Sequence, residues 1–365
     1  MMAKYIYEYN NWPNFTWQQN SISAILGEVR FLQGKITGQM NMLGFATKEE
    51  TNLTTLTLDV INSSEIEGEK LDYDQVRSSI AQRLGIDKGG ISSNRNVDGV
   101  VEMMLNATQN YQDSLTDKRL FGWHSALFPT GYSGMHQIEV GRYRTGEMQI
   151  VSGALGKEKV HFEAVHSSKV KNEMDLFLKW FNNNATTDPV LKAAIAHFWF
   201  IIIHPFDDGN GRMARAISDL MLARADSSNE RFYSMSSQIL IERKEYYRIL
   251  QKVQYCNGDI TEWLVWFLCC LKNSLYSTER ILEKILRKTE FWKIHENTII
   301  NERQRLVLNK LFDGLEGKLK SSKWAKMTKC SSDTALRDIK DLIEKGILRQ
   351  ELQGGRSTNY ELAEF

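Results

Sequence analysis

The densest group of side chains able to do chemistry falls in one short stretch near the middle of the chain. It combines an imidazole, two neighbouring carboxylates, an amide and two guanidinium groups: His204, Asp207, Asp208, Asn210, Arg212 and Arg215. An imidazole can accept a proton at neutral pH because its ordinary pKa is about 6.5. Two guanidiniums within reach of one anion can bind it with paired hydrogen bonds. The stretch therefore offers a base beside an anion-binding site.

Two helices must position these groups. The segment Pro189–Ile203 is apolar on nearly every face, which predicts a helix buried in the core. His204 precedes Pro205, and a residue before proline is pushed out of the helical conformation, so this helix should end there. A second helix that starts near Gly211 would turn its unpaired backbone N–H groups toward the loop and favour an anion. The two arginines, three residues apart, would share one face of that helix.

Two other nucleotide-binding patterns fit poorly. Gly209–Ala214 matches the loose pattern G-x-G-x-x-G/A of dinucleotide-binding folds. That pattern requires a preceding strand, whereas a buried helix and Pro205 precede it here. A Walker A loop is excluded because Val151 stands where the first glycine before Gly156 and Lys157 is required.

The run His204–Arg215 resembles the complete Fic motif, H-x-F-x-(D/E)-G-N-G-R-x-x-R, with all eight specified positions filled. The resemblance extends over about Val97–Lys288. It implies a mainly helical Fic fold with a small β-hairpin flap, and transfer of AMP from ATP to a Tyr, Ser or Thr hydroxyl of a protein. The residues themselves also predict a mainly α chain, because only four prolines occur and most segments show a 3.6-residue period.

The resemblance also implies a role for each motif residue. His204 would be the general base and Asp208 would bind Mg²⁺. Asn210 and the neighbouring backbone amides would stabilise charge on the α- and β-phosphates. Arg212 and Arg215 would hold the β- and γ-phosphates. The predicted catalytic set is His204, Asn210 and Arg212, with ATP as co-substrate.

The remaining nucleotide contacts are less specific. Asp207, at a position that the motif leaves open, is expected to point to solvent. Tyr246 and Tyr247 lie where the family often builds part of its adenine pocket, but aromatic residues at helical spacing are also typical of a core. The full nucleotide-binding prediction is Phe206, Gly209, Asn210, Gly211, Arg212, Arg215, Tyr246 and Tyr247.

A β-hairpin is predicted ahead of the motif. Met148–Val151 and Lys159–Phe162 flank the turn-forming stretch Ser152–Lys157. The hairpin resembles the family's flap, to which a target segment adds as an edge strand; a plain surface hairpin is the alternative. We expect it to be the only β element before the C-terminus. The predicted target-binding residues are Ile150, Val151, Val160 and Phe162.

An inhibitory motif is predicted near the N-terminus. Ser63–Gly68 matches (S/T)-x-x-x-E-(G/N), which many Fic proteins carry on a helix beside the nucleotide site. By this resemblance Ser63, Glu67 and Gly68 are inhibitory, and Glu67 would pair with Arg215. The alternative is an ordinary last helical turn with a capping glycine. A carboxylate at a helix C-terminus costs about 0.3–1 kcal/mol, however, which favours a partner for it.

Composition limits the remaining classes. With 46 basic and 45 acidic residues the net charge is +1, which argues against a surface that binds phosphate throughout. No apolar run reaches the roughly 20 residues that a membrane helix needs, and the N-terminus lacks a secretory pattern. We therefore expect a cytoplasmic protein without membrane contact. The four cysteines fit neither a zinc site nor a disulfide framework.

Three regions are predicted: an N-terminal helical region at 1–95, a Fic catalytic core at 96–290 and a winged-helix domain at 300–365. A Gly/Ser-rich stretch at 84–96 marks the first boundary. The predicted helices of the first two regions are Ser21–Gly38, Thr47–Gly68 with a capping box from Thr47 to Glu50, Val97–Leu115, Asp117–Phe128, Lys169–Asn183, Pro189–Ile203, Arg212–Ala225, Arg243–Gly258 and Thr261–Lys288.

From Asn301 onward, three helices and two short strands joined by Gly354–Arg356 resemble a winged helix, which usually binds DNA through its third helix. This segment has 13 basic and 10 acidic residues, a net of +3. Because the excess is modest, both DNA and protein contact stay open as roles for it.

The sequence thus predicts an autoinhibited protein adenylyltransferase. Two alternatives stay open: a Fic enzyme that uses another nucleotide donor or removes AMP, and a DNA-binding regulator whose Fic domain senses nucleotide. An intact base and metal ligand argue against the regulator as the sole role. The target protein, self-modification and a homodimer are also left open.

Overall fold

The computed structural model describes residues 4–86, 91–152, 159–183, 187–315, 317–351 and 358–364. The chain divides into two compact units, residues 1–278 and residues 279–365. The predicted regions 1–95 and 96–290 begin within the first unit, and their boundaries stay predictions. Within the described ranges, no helix combines the length and the apolar character required to cross a bilayer.

Three helices form the N-terminal region: α1 (Gln19–Asn41), α2 (Phe45–Ile66) and α3 (Tyr73–Arg83). Helix α2 begins at Phe45 after Gly44, so the predicted capping box from Thr47 is wrong. Helix α3 was not predicted. Asp72 precedes it and accepts a hydrogen bond from the backbone N–H of Gln75, a normal N-cap.

Eight helices follow: α4 (Arg95–Gln109), α5 (Asp117–Leu127), α6 (Val170–Asn182), α7 (Pro189–Ile203), α8 (Asn210–Asp226), α9 (Met235–Ile241), α10 (Arg243–Val253) and α11 (Thr261–Ile294). Helix α7 has the bounds that its apolar sequence predicts. Of the fourteen residues that follow Pro189 in this helix, all but Ile201 are buried. It packs mainly against α8. A buried helix followed by a buried helix gives the loop between them two rigid supports.

Two β-hairpins lie between α5 and α6. The first pairs β1 (Tyr132–Ser133) with β2 (His136–Gln137), so the expectation of one hairpin before the C-terminus is wrong. The second pairs β3 (Gln149–Ser152) antiparallel with β4 (Lys159–Glu163), with an irregularity between Ile150 and Val151. The turn predicted for this second hairpin falls mostly at 153–158, outside the described residues.

The second unit contains α12 (Glu302–Gly314), α13 (Ser321–Thr328), α14 (Ser332–Glu344) and the antiparallel strands β5 (Leu348–Gln350) and β6 (Tyr360–Leu362). Its own core surrounds the fully buried Trp324. The order of elements agrees with the predicted one, while the joining turn at 354–356 lies outside the described residues. The winged-helix assignment stays a prediction. The fourteen helices and short hairpins of the described residues confirm a mainly α chain.

Candidate active site

His204 lies where α7 ends. It is the C-cap residue, and its backbone has the left-handed values φ 50° and ψ 59°. Its ring Nδ1 lies 3.3 Å from the carbonyl oxygen of Ile201. Because a carbonyl can only accept, Nδ1 carries the proton and Nε2 keeps its lone pair. The ring is therefore held in the tautomer that a general base requires.

The surroundings of His204 favour the neutral ring. Burial lowers its pKa from 6.5 to about 4, and the nearby charge of Arg144 acts in the same direction. The carbonyl of Ile201 and the carboxylates of Glu67 and Asp208 oppose that shift only in part. At pH 7 the ring is unprotonated and can accept a proton.

Arg144 fixes the backbone around His204, and sequence reasoning missed it. The side chain is 2% exposed. Its Nε donates to the carbonyl of His204 at 2.8 Å and its Nη1 to that of Gly146 at 2.7 Å, while Nη2 donates to the carbonyl of Val165. Gly146 and Val165 flank the β3–β4 hairpin. Arg144 thus joins both ends of the hairpin to the candidate base.

The loop after His204 is closed by Asn210. The Asn210 side chain donates from Nδ2 to the carbonyl of Phe206 at 2.7 Å and accepts from the Phe206 N–H at 3.0 Å. Phe206 is fully buried and stacks on His124, with ring centroids 4.4 Å apart. In this structure the Asn210 carboxamide therefore shapes the loop, and Phe206 anchors the loop in the core.

Asp208, the predicted metal ligand, accepts hydrogen bonds from the hydroxyl of Ser133 and from the N–H of Gly209. Ser133, on β1, was not predicted to reach the site. Asp207 accepts from the N–H of Glu139 at 2.9 Å, so the expectation that it points to solvent is wrong. The sequence pattern does not indicate a hydrogen bond between two loops that lie 68 residues apart in the chain.

His124 supports the same loop from α5. Its Nε2 donates to the carbonyl of Asp208 at 3.2 Å, and its Nδ1 accepts from the N–H of Gly141. Burial lowers the pKa of His124 to about 4, so the ring is neutral at pH 7. One neutral imidazole thus ties the loop that carries Asp208 to the segment that carries Arg144.

The first turn of α8 faces a carboxylate. Gly209 precedes this helix with φ 77°, a conformation that glycine adopts without strain. A Cβ added to Gly211 would lie 2.0 Å from Glu67 Oε1. The Glu67 carboxylate therefore reaches the backbone at the helix N-terminus that the sequence predicts to bind an anion.

Arg215 is held almost entirely by the end of α2. Its Nη2 donates to Glu67 Oε1 and to the carbonyl of Ser63, both at 2.8 Å, and its Nε donates to Ser63 Oγ at 2.9 Å. Burial favours the neutral guanidine, but Glu67 raises the pKa of Arg215 above its ordinary value. Gly68 follows Glu67 with φ 91°. The structure thus brings two of the three predicted inhibitory residues, Ser63 and Glu67, into contact with Arg215.

Arg212 contacts a second carboxylate that sequence reasoning missed. Its Nη1 donates to Glu69 Oε2 at 2.7 Å, and its guanidinium lies over the ring of Phe128 at 5.1 Å. The Arg212 side chain is 4% exposed, whereas that of Glu69 is 50% exposed. The only sequence signal was an acidic residue two places after Glu67.

The two tyrosines of the predicted adenine pocket separate. Tyr246 is 1% exposed, and its hydroxyl lies 2.8 Å from Nε2 of the buried His197. Tyr246 is a core residue, so this geometry does not support its predicted contact with the adenine ring. Tyr247 is 42% exposed and its hydroxyl donates to Glu67 Oε2 at 3.3 Å. Tyr247 contacts Glu67 at the site, while the Tyr246 hydroxyl interacts with Arg215 from the core.

The predicted target-binding residues lie on the two paired strands of the β3–β4 hairpin. Ile150 pairs with Phe162, and Val151 pairs with Val160, along the antiparallel register. The Phe162 side chain is buried at 4% exposure against Tyr5, so any contact of Phe162 with a target would involve its backbone, and its predicted role stays a prediction. An aromatic residue at the base of a hairpin packs inward because burial of a large ring is strongly favourable.

Asp208 is the carboxylate that is predicted to bind a metal. Among the described residues, no group of three or more His, Cys, Asp or Glu side chains could enclose a metal ion. Asp208 alone fits Mg²⁺ that is bound mainly by phosphate oxygens and water, which is the usual mode for this ion.

Fold and site together define a helical protein in which a helix–loop–helix segment sets a neutral histidine beside an anion-binding helix N-terminus. The Fic/DOC family model matches residues 114–222, and a domain of unknown function, DUF4172, matches residues 5–86. The chain therefore contains a Fic/DOC domain, and the resemblance based on His204–Arg215 is confirmed.

Curated proteins that are similar in sequence also carry the Fic name. The chain is 26% identical over 226 residues to protein adenylyltransferase Fic of Aedes aegypti, covering 59% of this chain and 40% of that protein. It is 26% identical over 248 residues to the same-named protein of Nematostella vectensis, covering 66% and 51%. The chain thus spans about half or less of these relatives.

Solved structures share the fold. A Fic family protein from Desulfovibrio desulfuricans matches with a TM-score of 0.57 and 20% identity over 96% of this chain and 98% of that one. A segment of Fic-1 from C. elegans matches with a TM-score of 0.50 and 22% identity over 73% and 74%. At these identities the likeness shows the helical Fic fold alone.

Proposed function

We propose that this chain is a protein adenylyltransferase that moves AMP from ATP to a Tyr, Ser or Thr hydroxyl. The observation that carries the proposal is the neutral His204, whose Nε2 lone pair is free of the Nδ1–Ile201 hydrogen bond. The hydroxyl oxygen forms a bond to the α-phosphorus and its proton passes to His204 Nε2. The bond from the α-phosphorus to the bridging oxygen breaks, and pyrophosphate leaves.

The phosphate side of the site supports the same reaction. Arg212 and Arg215 are buried on one face of α8, so a triphosphate at its N-terminus would meet two guanidiniums and the helix dipole. Asp208 would hold Mg²⁺, which neutralises phosphate charge when bound. The names of the relatives, protein adenylyltransferase Fic, support ATP as the co-substrate.

We further propose that the resting chain is autoinhibited by Glu67. Its carboxylate contacts Arg215 and lies against Gly211, where a phosphate would need to bind. Two anions cannot share one guanidinium and one helix N-terminus without mutual repulsion. ATP would therefore bind productively only after Glu67 has moved.

Intact mass after incubation with ATP and Mg²⁺ tests both proposals. We expect Glu67→Gly to add AMP to itself or to a supplied lysate protein, and Glu67→Gly/His204→Ala to add none. The wild type should add little. Equal, low incorporation by the wild type and both variants, with each shown to be folded, would reject the transfer reaction proposed here and favour another donor or AMP removal.

A further inference from the structure

The turn after α2 presents two carboxylates together. Gly68 adopts φ 91°, its N–H donates to the carbonyl of Glu65 at 2.9 Å, and the N–H of Glu69 donates to the carbonyl of Ser64 at 3.0 Å. These two bonds define a Schellman ending, in which a glycine reverses the chain. Glu67 and Glu69 flank that glycine, and each carboxylate contacts an arginine of α8.

The contact of Glu69 is chemically separate from that of Glu67. Glu69 Oε2 lies 2.7 Å from Arg212 Nη1, while Glu67 Oε1 lies 2.8 Å from Arg215 Nη2. In the described part of the chain, the buried Nε of Arg212 has no hydrogen-bond partner. A buried guanidinium with donors left over is poised to accept a further anion.

We propose that Glu69 is a second inhibitory carboxylate, which competes with nucleotide phosphates for Arg212 while Glu67 competes for Arg215. The inference rests on the proposed function, because it assigns a nucleotide phosphate to Arg212. The inhibitory unit is then the whole turn, carboxylate–glycine–carboxylate, and ATP binding displaces two ion pairs.

The size of the effect follows from exposure. Glu69 is half exposed and makes one contact, whereas Glu67 is less exposed and contacts the helix backbone as well. Exposed ion pairs contribute little, and an arginine that is 4% exposed strengthens the pair. We expect Glu69→Gln to tighten ATP binding by about three- to tenfold, less than the removal of Glu67 does.

Isothermal titration of the full chain with ATP and with AMP tests the proposal. The variants are Glu69→Gln, Glu67→Gln, the double variant and Glu65→Gln. Glu65→Gln is the matched control, because this substitution removes one carboxylate from the same helix end. Among the described residues, Glu65 pairs with neither arginine. Thermal unfolding of each variant checks that it is folded.

The expected result is tighter ATP binding by Glu69→Gln than by Glu65→Gln, with AMP affinity unchanged because AMP lacks the phosphates assigned to Arg212. Equal ATP affinities for these two variants, while Glu67→Gln binds more tightly, would overturn the role of Glu69 alone. An equal gain for AMP and ATP would also overturn it. Failure of every variant to bind ATP would instead reject the proposed function.

Discussion

Two regions hold the motif from opposite sides, and they do so with different chemistry. The 139–147 segment holds the His204 side through hydrogen bonds from the buried Arg144 to backbone carbonyls. The end of α2 holds the phosphate side through ion pairs from Glu67 and Glu69 to two arginines. The phosphates of an incoming nucleotide can replace the carboxylates of Glu67 and Glu69 on their arginines. They cannot replace the backbone carbonyls that bind the buried Arg144. The base is thus preformed while the phosphate site is blocked.

The largest expected effect removes the base itself. In the Glu67→Gly background, His204→Ala should lower the rate of AMP transfer by about 10²–10⁴-fold, the usual contribution of a general base. ATP affinity should change little, because no phosphate contact is assigned to the ring. The measurement is single-turnover transfer together with ATP titration. Transfer at an unchanged rate would show that another group takes the proton.

The next effect breaks the support of the base. Arg144→Gln in the Glu67→Gly background should lower kcat by about 10²-fold, because small displacements of a reacting group are costly. KM for ATP should hardly change. Arg144→Lys keeps the charge and should recover part of the rate. Urea denaturation checks that Arg144→Gln is folded. If the folded variant retains full kcat, Arg144 does not position His204.

A smaller change opens the phosphate side. Glu67→Gly should raise transfer by about 5–150-fold over the wild type, the range of a coupling free energy of 1–3 kcal/mol. The gain should appear with subsaturating ATP and shrink when ATP is saturating. Glu65→Gln is the control. An effect confined to kcat at saturating ATP would argue that Glu67 acts on the base and not on the phosphates.

The pH dependence of stability tests whether His204 and His124 are neutral in the folded protein. Folded His204 and His124 have pKa values near 4, whereas unfolded histidine titrates near 6.5. The unfolded chain therefore binds more protons between these values, and the stability present above pH 6.5 is lost as pH falls toward 4. Tm should decrease over that window, as measured by circular dichroism. A Tm that is flat from pH 6.5 to 4.5 would contradict neutral buried rings.

The smallest effect concerns the turn between the two carboxylates. Gly68→Ala should lower the free energy of unfolding by about 1–2 kcal/mol, because φ 91° is unfavourable for a residue with a Cβ. Added volume is not the cause, since nothing lies within 4 Å of that Cβ. The measurement is equilibrium urea denaturation. An unchanged midpoint would mean that the turn relaxes without cost.

Much of the site could be predicted because its information is local. The apolar run before His204, the proline after it and the glycines at 209 and 211 determine a helix, a loop and a second helix in one short segment. Arg144, Ser133 and Glu69 could not be predicted, since each reaches the site from a separate part of the chain. Asp207 was misplaced for the same reason, because its partner Glu139 is distant in sequence.

The fold shows the same division. Helix α7 follows from its composition, while α3 was missed because its polar sequence has weak periodicity and depends on packing against α2. Tyr246 illustrates the ambiguity of aromatic residues, because its partner His197 lies on another helix. Local pattern determines the motif, and long-range contacts determine what surrounds it.

The blocked phosphate site is tested most directly by titration of the wild type and of Glu67→Gln/Glu69→Gln with ATP. We expect at least tenfold tighter ATP binding by the double variant, with AMP affinity nearly unchanged. Equal ATP affinity for the two proteins would contradict a phosphate site that is formed but blocked by the end of α2.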